Sequence, residues 1–293
     1  MYTQFFGNYL LQKGLITQVQ LMQALSRMSD SRLKLGTLAI SEGLMTAGEV
    51  DECLYMQTRE DKRFGEIAIA RGYLTDEQVK SLLEAQSSDF LLLGQLLVED
   101  DVFSYEDLER AIFDYQSENE IYDLELDVDN KDKIHDLIEK FFEITETTPN
   151  EKILLYLELL FNSLIRFIGE DFTPLNPILA KEFPVTYAAS QKITGDNSYI
   201  TYIDMDRDTA IQFASRYAKE EFLDYNEYVM AAIEDFINLH NGLFLVNASN
   251  ELGNEERLYP PEIKQDIILE TESNFIVFPV IYPFGTIHLI VEI

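Results

Sequence analysis

Two side chains in the stretch 226–242, NEYVMAAIEDFINLHNG, have the types and the spacing to do chemistry together. Asp235 and Asn238 lie three residues apart, so on a helix they project side by side from one face. An acid and an uncharged amide placed in this way can hold a water molecule or a partner's lysine. A solvated polar face would carry the same pair, so the elements around it have to decide between the two readings.

The stretch itself reads as an amphipathic helix. Tyr228, Ala231, Ala232, Ile233, Phe236, Ile237 and Leu239 supply the expected apolar face, and Gly242 is the expected stop. Glu234 is turned by about 100° from Asp235 and is a poor substitute for it. His240 is expected to face away from the pair. Upstream, EKILLYLELLFNSLIRFIG reads as a long helix ended by Gly169. VTYAASQKITG and SYITYIDMD then read as two strands joined at Gly195-Asp196-Asn197. DTAIQFASRYAKEEF reads as a further helix, and the chain closes on two strands around Pro283-Phe284-Gly285. Helix, strand pair, two helices and strands predict an α+β domain with a mostly antiparallel sheet over residues 150–293.

Composition excludes several functions. The 293 residues carry a formal charge of −31, which repels phosphate backbones and anionic lipid surfaces, so no nucleic-acid binding is expected. No apolar run in the sequence approaches the roughly 18 residues of a membrane span, and no signal peptide is read at the start. No membrane insertion and a cytoplasmic location are therefore expected. The single cysteine, Cys53, allows no internal disulfide and sits among helical apolar positions as a small buried hydrophobe. His135, His240 and His288 lack metal-ligand spacing, and no phosphate-binding loop or nucleophile elbow is present.

The first part of the chain is a repeat. Gly7, Gly36, Gly65 and Gly94 recur every 29 residues, heading FGNYLLQKGLIT, LGTLAISEGLMT, FGEIAIARGYLT and LGQLLVEDDVFS. Seven residues on come Gly14, Gly43, Gly72 and, as the departure, Asp101; then the N-caps Thr17, Thr46, Thr75 and Ser104. Each unit reads as a short helix, a glycine-ended turn and a capped longer helix, which predicts an all-α domain of four repeats over residues 1–118. This pattern resembles the N-terminal domain of type II secretion and type IV pilus assembly ATPases (the GspE/MshE N-terminal family), without the ATPase that follows there. The resemblance implies a structural or partner-docking array, or binding of cyclic di-GMP with Arg32, Leu35, Gly36, Gln57, Arg63, Gly65 and Gln86 as candidates. Residues 119–149 are an acidic connector with an amphipathic segment, KIHDLIEKFFEI.

The phrases of the second domain, in their order, resemble the chemotaxis phosphatase family of CheC, CheX and FliY, and CheX most closely. Ile193-Thr194-Gly195 followed by SYITYIDMD matches the family's hairpin, DFINLHNG its acid–asparagine helix, and Pro261 the proline that follows. The resemblance implies an enzyme that removes phosphate from the aspartyl-phosphate of a CheY-like response regulator. Asn238 would orient the attacking water and Asp235, where the family has glutamate, would pair with the regulator's lysine. No cofactor is expected on this chain, because Mg2+ is held by the regulator. Glu158 and Asn162, four apart, are read as structural or surface residues and not as a second site. A homodimer through the CheX-like domain is implied by the resemblance. A scaffold that binds a regulator without turnover is the alternative, with the repeats as a targeting or sensory module in either case.

Overall fold

The computed structural model describes residues 2–84, 89–118, 151–169, 171–195, 198–253 and 256–292. The chain divides into two compact units, Met1–Glu125 and Leu126–Ile293. The connector 119–149, its amphipathic segment with His135, and the turn residues Asp196 and Asn197 lie outside the described residues.

All regular structure described in the first unit is helical. It comprises α1 (Tyr2–Gln12), α2 (Gln18–Arg27), a 3-10 turn (Met28–Asp30), α3 (Leu35–Ser41), α4 (Ala47–Gln57), α5 (Phe64–Arg71), α6 (Asp76–Glu84), α7 (Asp89–Glu99) and α8 (Tyr105–Glu118). The even-numbered helices share one start. Thr17 with Gln20, Thr46 with Glu49, Thr75 with Gln78 and Ser104 with Asp107 exchange side-chain and backbone hydrogen bonds in reciprocal capping boxes. The turns before them share one conformation. Gly14, Gly43 and Gly72 take φ of 67°, 64° and 77°, and Asp101 takes 57° in the same place, so the fourth turn keeps its shape without the glycine.

A second spacing sets the packing. Gly36 faces Val50, Gly65 faces Val79 and Gly94 faces Leu108, each fourteen residues on; a Cβ on Gly94 would collide with Leu108 Cδ1. Phe64 also covers Gly36, Leu35 covers Gly65 and Phe6 covers Gly94. The second segment therefore packs on the third and the first on the fourth. Phe6, Phe90 and Tyr115 close the latter contact, with ring centroids 5.0–5.9 Å apart. Cys53 is fully buried, and burial raises its thiol pKa.

The second unit contains α9 (Glu151–Phe167), β1 (Thr173–Pro174), β2 (Ile178–Thr194), β3 (Tyr199–Met205), α10 (Arg207–Ala218), α11 (Glu227–Leu252), β4 (Arg257–Leu258), β5 (Glu262–Tyr282) and β6 (Gly285–Glu292). The strand order is β1-β5-β6-β3-β2-β4, antiparallel throughout. Because β2 also pairs with β5, the sheet closes on itself. β2 and β5 are long enough to do this: Ile178 pairs with Val277 and Ser190 with Glu262, with an irregularity between Ala180 and Glu182. One face of the sheet is covered by helices. Phe213 of α10 meets Phe236 of α11 edge-on at 5.0 Å, and Tyr156 of α9 meets Phe244 of α11 at 5.1 Å.

Two sequence expectations for α11 are corrected. Gly242 does not stop the helix, which runs to Leu252 and ends at Gly253 with φ 71°. A glycine inside a helix costs only about 1 kcal/mol, and Phe244 and Ala248, both buried beyond it, outweigh that cost. The apolar face is also rotated. Val229, Ile233, Phe236, Ile237 and Phe244 are buried, whereas Tyr228 and Ala231 are exposed.

Candidate functional site

The site is built on the outer face of α11. Asn226 caps this helix: its side-chain oxygen accepts from the backbone N–H groups of Tyr228 and Val229 at 3.0 and 3.2 Å. Inner residues at helical spacing lock the rotation of the helix, and that rotation turns Tyr228, Ala231, Asp235 and Asn238 outward together. Among the described residues α11 is the one helix long and apolar enough to cross a membrane. Its length and hydropathy are explained by the face it buries on the sheet and its helical neighbours.

Asp235 and Asn238 are both exposed, and each is held by one side chain from another element. Tyr217, near the end of α10, donates its hydroxyl to Asp235 Oδ2 at 2.7 Å. Burial raises the Tyr217 pKa above the usual phenol range, and the hydrogen bond to the Asp235 carboxylate raises it further, so the hydroxyl stays a donor. Tyr217 is itself wedged edge-on between Phe167 and Phe236. The neighbouring Glu234 is half-buried and its pKa is raised by that burial.

Asn238 is held from below. Gln191 of β2, 1% exposed, donates Nε2 to Asn238 Oδ1 at 2.8 Å and to the backbone carbonyl of Tyr259 at 2.8 Å. Asn241, one helical turn beyond Asn238 and fully buried, donates Nδ2 to Gln191 Oε1 at 2.8 Å and to Thr201 Oγ1 at 2.9 Å. Gln191 and Thr201 are direct partners across the β2–β3 ladder, which explains why one amide reaches both. His240 points inward, 1% exposed, with its ring edge-on to Tyr156 at 4.6 Å and Nδ1 3.5 Å from Ser163 Oγ. Burial depresses its pKa to about 3, so it is neutral. Asn241 Oδ1 and His240 Nε2 are buried without a hydrogen-bond partner among the described residues. A polar seam thus runs from the exposed Asn238 into the interior between α9, α11 and the sheet.

This arrangement presents one carboxylate and one carboxamide side by side, each oriented by a supporting side chain. It can accept from a cationic donor at Asp235 and offer the Asn238 amide to water or to an anion. Among the described residues no group of three His, Cys, Asp or Glu side chains is placed to hold a metal ion. Glu158 is half-buried and Asn162 exposed on α9. The supporting residues Tyr217, Gln191 and Asn241 were not picked out from the sequence. Asn241 carried a signal, since it repeats the three-residue step of Asp235 and Asn238; Gln191 and Tyr217 are distant in sequence and carried none.

The described cyclic di-GMP candidates of the first unit fall into two sets. Leu35, Gly36 and Gly65 are engaged in helix packing, with Leu35 covering Gly65. Arg32 and Arg63 are exposed at the starts of α3 and α5, and Gln57 donates to the Lys62 carbonyl at 3.4 Å. Gln86 lies outside the described residues.

No family model and no curated protein matches this chain. Solved structures do. A CheC-like superfamily protein from Shewanella sp. PV-4 is 16% identical, with a TM-score of 0.44 over 49% of this chain and 97% of that one. The chemotaxis protein CheX from Desulfovibrio desulfuricans is 17% identical, with a TM-score of 0.43 over 49% of this chain and 99% of that one. A CheX–CheY–BeF3–Mg2+ complex from Borrelia burgdorferi gives 19% identity and a TM-score of 0.40 over 48% of this chain and 97% of that one. These likenesses span about half of this chain and almost the whole of the other.

Proposed function

We propose that this chain is a cytoplasmic, CheX-like phosphatase that removes the phosphoryl group from the aspartyl-phosphate of a CheY-like response regulator. The observation that carries the reading is the joint presentation of Asp235 and Asn238 on the outer face of α11, in the motif and element order that resemble the chemotaxis phosphatases. Acyl-phosphate hydrolysis needs little covalent help, so placing a water in line supplies much of the acceleration. Asn238 performs that placement with an uncharged group that does not repel the phosphoryl oxygens. Asp235 pairs with the regulator's lysine, and the Mg2+ belongs to the regulator. The helical unit serves as a targeting or sensory module, with cyclic di-GMP at Arg32 and Arg63 as the small ligand to test and self-association through the CheX-like unit as a further property.

The test is the decay of phosphorylated regulators from the same genome in the presence of the full chain, Asn238→Ala and Asp235→Glu. Acceleration by the wild type that Asn238→Ala loses is the expected result. If the wild type leaves every regulator at its autohydrolysis rate, the phosphatase reading falls. Absence of saturable binding of labelled cyclic di-GMP removes that ligand.

A binding-only scaffold is favoured by one observation. Asp235 is one methylene shorter than glutamate, and its carboxylate already accepts from Tyr217 at 2.7 Å. A chain that binds phosphorylated regulator tightly and does not accelerate its decay, even as Tyr217→Phe, is the outcome that selects this reading.

A further inference from the structure

The orientation of the Asn238 amide is set by a group that cannot be reversed. A backbone carbonyl only accepts, so the Gln191 atom 2.8 Å from the Tyr259 carbonyl oxygen is Nε2. The other end of the same amide is then Oε1, which accepts from Asn241 Nδ2 at 2.8 Å. The remaining Gln191 donor meets Asn238 at 2.8 Å, and the atom receiving it is Oδ1. The second Asn241 donor meets Thr201 Oγ1 at 2.9 Å. Three side-chain amides are thus ordered in one direction from a single carbonyl. Gln191 is 1% exposed and Asn241 fully buried, so water does not compete at the contact between them.

We propose that Gln191 is a positioning residue for Asn238. It holds the Asn238 oxygen inward and presents Nδ2, with its two N–H donors, at the exposed face of α11. This rests on the phosphatase reading given above. An unheld surface asparagine turns over about its terminal torsion at little cost, because that torsion is broad and roughly two-fold. Anchoring removes half of those orientations before a partner arrives. In the ordered state Nδ2 faces the phosphoryl oxygens, while the Oδ1 lone pair that Gln191 leaves free accepts from the water. Preorganised donors of this kind act on the reacting group without reorganisation at the moment of reaction. Nothing in the residue types around Asn238 along the chain shows this; the partner lies 47 positions away.

The experiment uses the full chain with a phosphorylated regulator as substrate. Gln191→Met keeps the volume and removes both donors. Gln191→Glu places acceptors against the Tyr259 carbonyl and Asn238 Oδ1 and forces the Asn238 amide to turn over. The rate at saturating protein is expected to fall about twofold in Gln191→Met, which frees both orientations, and about tenfold in Gln191→Glu, which selects the wrong one, with the half-saturating concentration changed by less than about twofold. Wild-type turnover by Gln191→Met overturns the proposal. A readout free of activity, and needing no folded Gln191 variant, is the side-chain NH2 of Gln191 in the wild type by NMR. Slow exchange with solvent, and a shift on Asn238→Ala, are expected; exchange as fast as that of a free amide overturns the proposal. Loss of the function reading looks different: the wild type then fails to accelerate decay of any regulator, whatever the Gln191 amide does.

Discussion

Each unit buries a glutamine that gathers distant partners, and the two differ in what they hold. In the helical unit Thr17, Thr46, Thr75 and Ser104 each bond to a partner three residues on, at the surface, while the buried Gln95 accepts from the Lys34 N–H and the Thr37 hydroxyl and donates to the Arg32 carbonyl, 58 to 63 positions away. In the sheet unit Gln191 gathers Asn238, Asn241 and the Tyr259 carbonyl from 47 to 68 positions away. The Gln95 network ends on backbone groups at the start of α3 and on Thr37 and Glu99, so it ties one helical segment to another. The Gln191 network ends on an exposed side chain, Asn238, and each member depends on the others for satisfaction. The difference teaches that the same buried amide can hold a packing contact in one place and the orientation of a surface group in another.

Substitutions in each unit can break or sharpen this contrast. The largest effect is expected at Gly94, where any Cβ meets Leu108. Gly94→Val should destabilise the helical unit by about 3 kcal/mol, seen as a lower denaturant midpoint, while the activity proposed for the sheet unit is retained. Loss of that activity as well would show that the two units are coupled.

Asn238→Ala should cost about 1 kcal/mol of stability, since it leaves a donor of the buried Gln191 without its partner, and lower the proposed phosphatase turnover about a hundredfold in the phosphate-release assay. A stability loss without an activity loss would reverse the assignment of Asn238 from site to scaffold.

His240 gives the sheet unit a pH signature of its own. In the unfolded chain it takes up a proton below about pH 6.5, whereas burial holds the folded residue to about 3. Its contribution to stability is therefore complete above pH 6.5 and is lost as pH falls from there toward 3, with a slope of about 1.4 kcal/mol per pH unit. His240→Phe should remove this share of the slope in unfolding curves measured between pH 6 and pH 4; an unchanged slope would show that His240 is not held neutral.

The smallest effect is expected at Asp101, the left-handed turn without glycine. Asp101→Gly should stabilise the helical unit by roughly 0.5 kcal/mol, because relief of backbone strain slightly exceeds the added freedom of the unfolded chain. A thermal midpoint that falls instead would mean that the aspartate side chain supports its own turn.

Much of the helical unit was legible because its determinants are local and recur. A glycine, a second glycine seven residues on and a cap three residues further write a turn that any single segment can form, and four copies make the period visible. What the spacing did not announce is which segment packs on which; Phe64 over Gly36 and Phe6 over Gly94 decide that through the shapes of distant side chains. In the sheet unit the strand pair was legible from the turn residues that begin at Gly195, and the fold pairs Ile193 with Tyr199. The extent of α11 was not. Gly242 reads as a stop by propensity, yet Phe244 and Ala248 beyond it are buried, Phe244 against Tyr156 of α9, and burial outweighs a cost of about 1 kcal/mol.

By itself the sequence determined that Asp235 and Asn238 share a helix face, because a step of three residues does so on any helix. It also determined the acidic surface and the repeated turns. Only the tertiary structure decided that this face points outward, that Tyr217 engages the acid, and that Gln191 fixes the amide. Helical spacing is a property of the backbone alone. The rotation of α11 follows from which of its apolar residues the sheet can bury, and the orientation of Asn238 follows from a carbonyl brought in from 21 residues further along the chain.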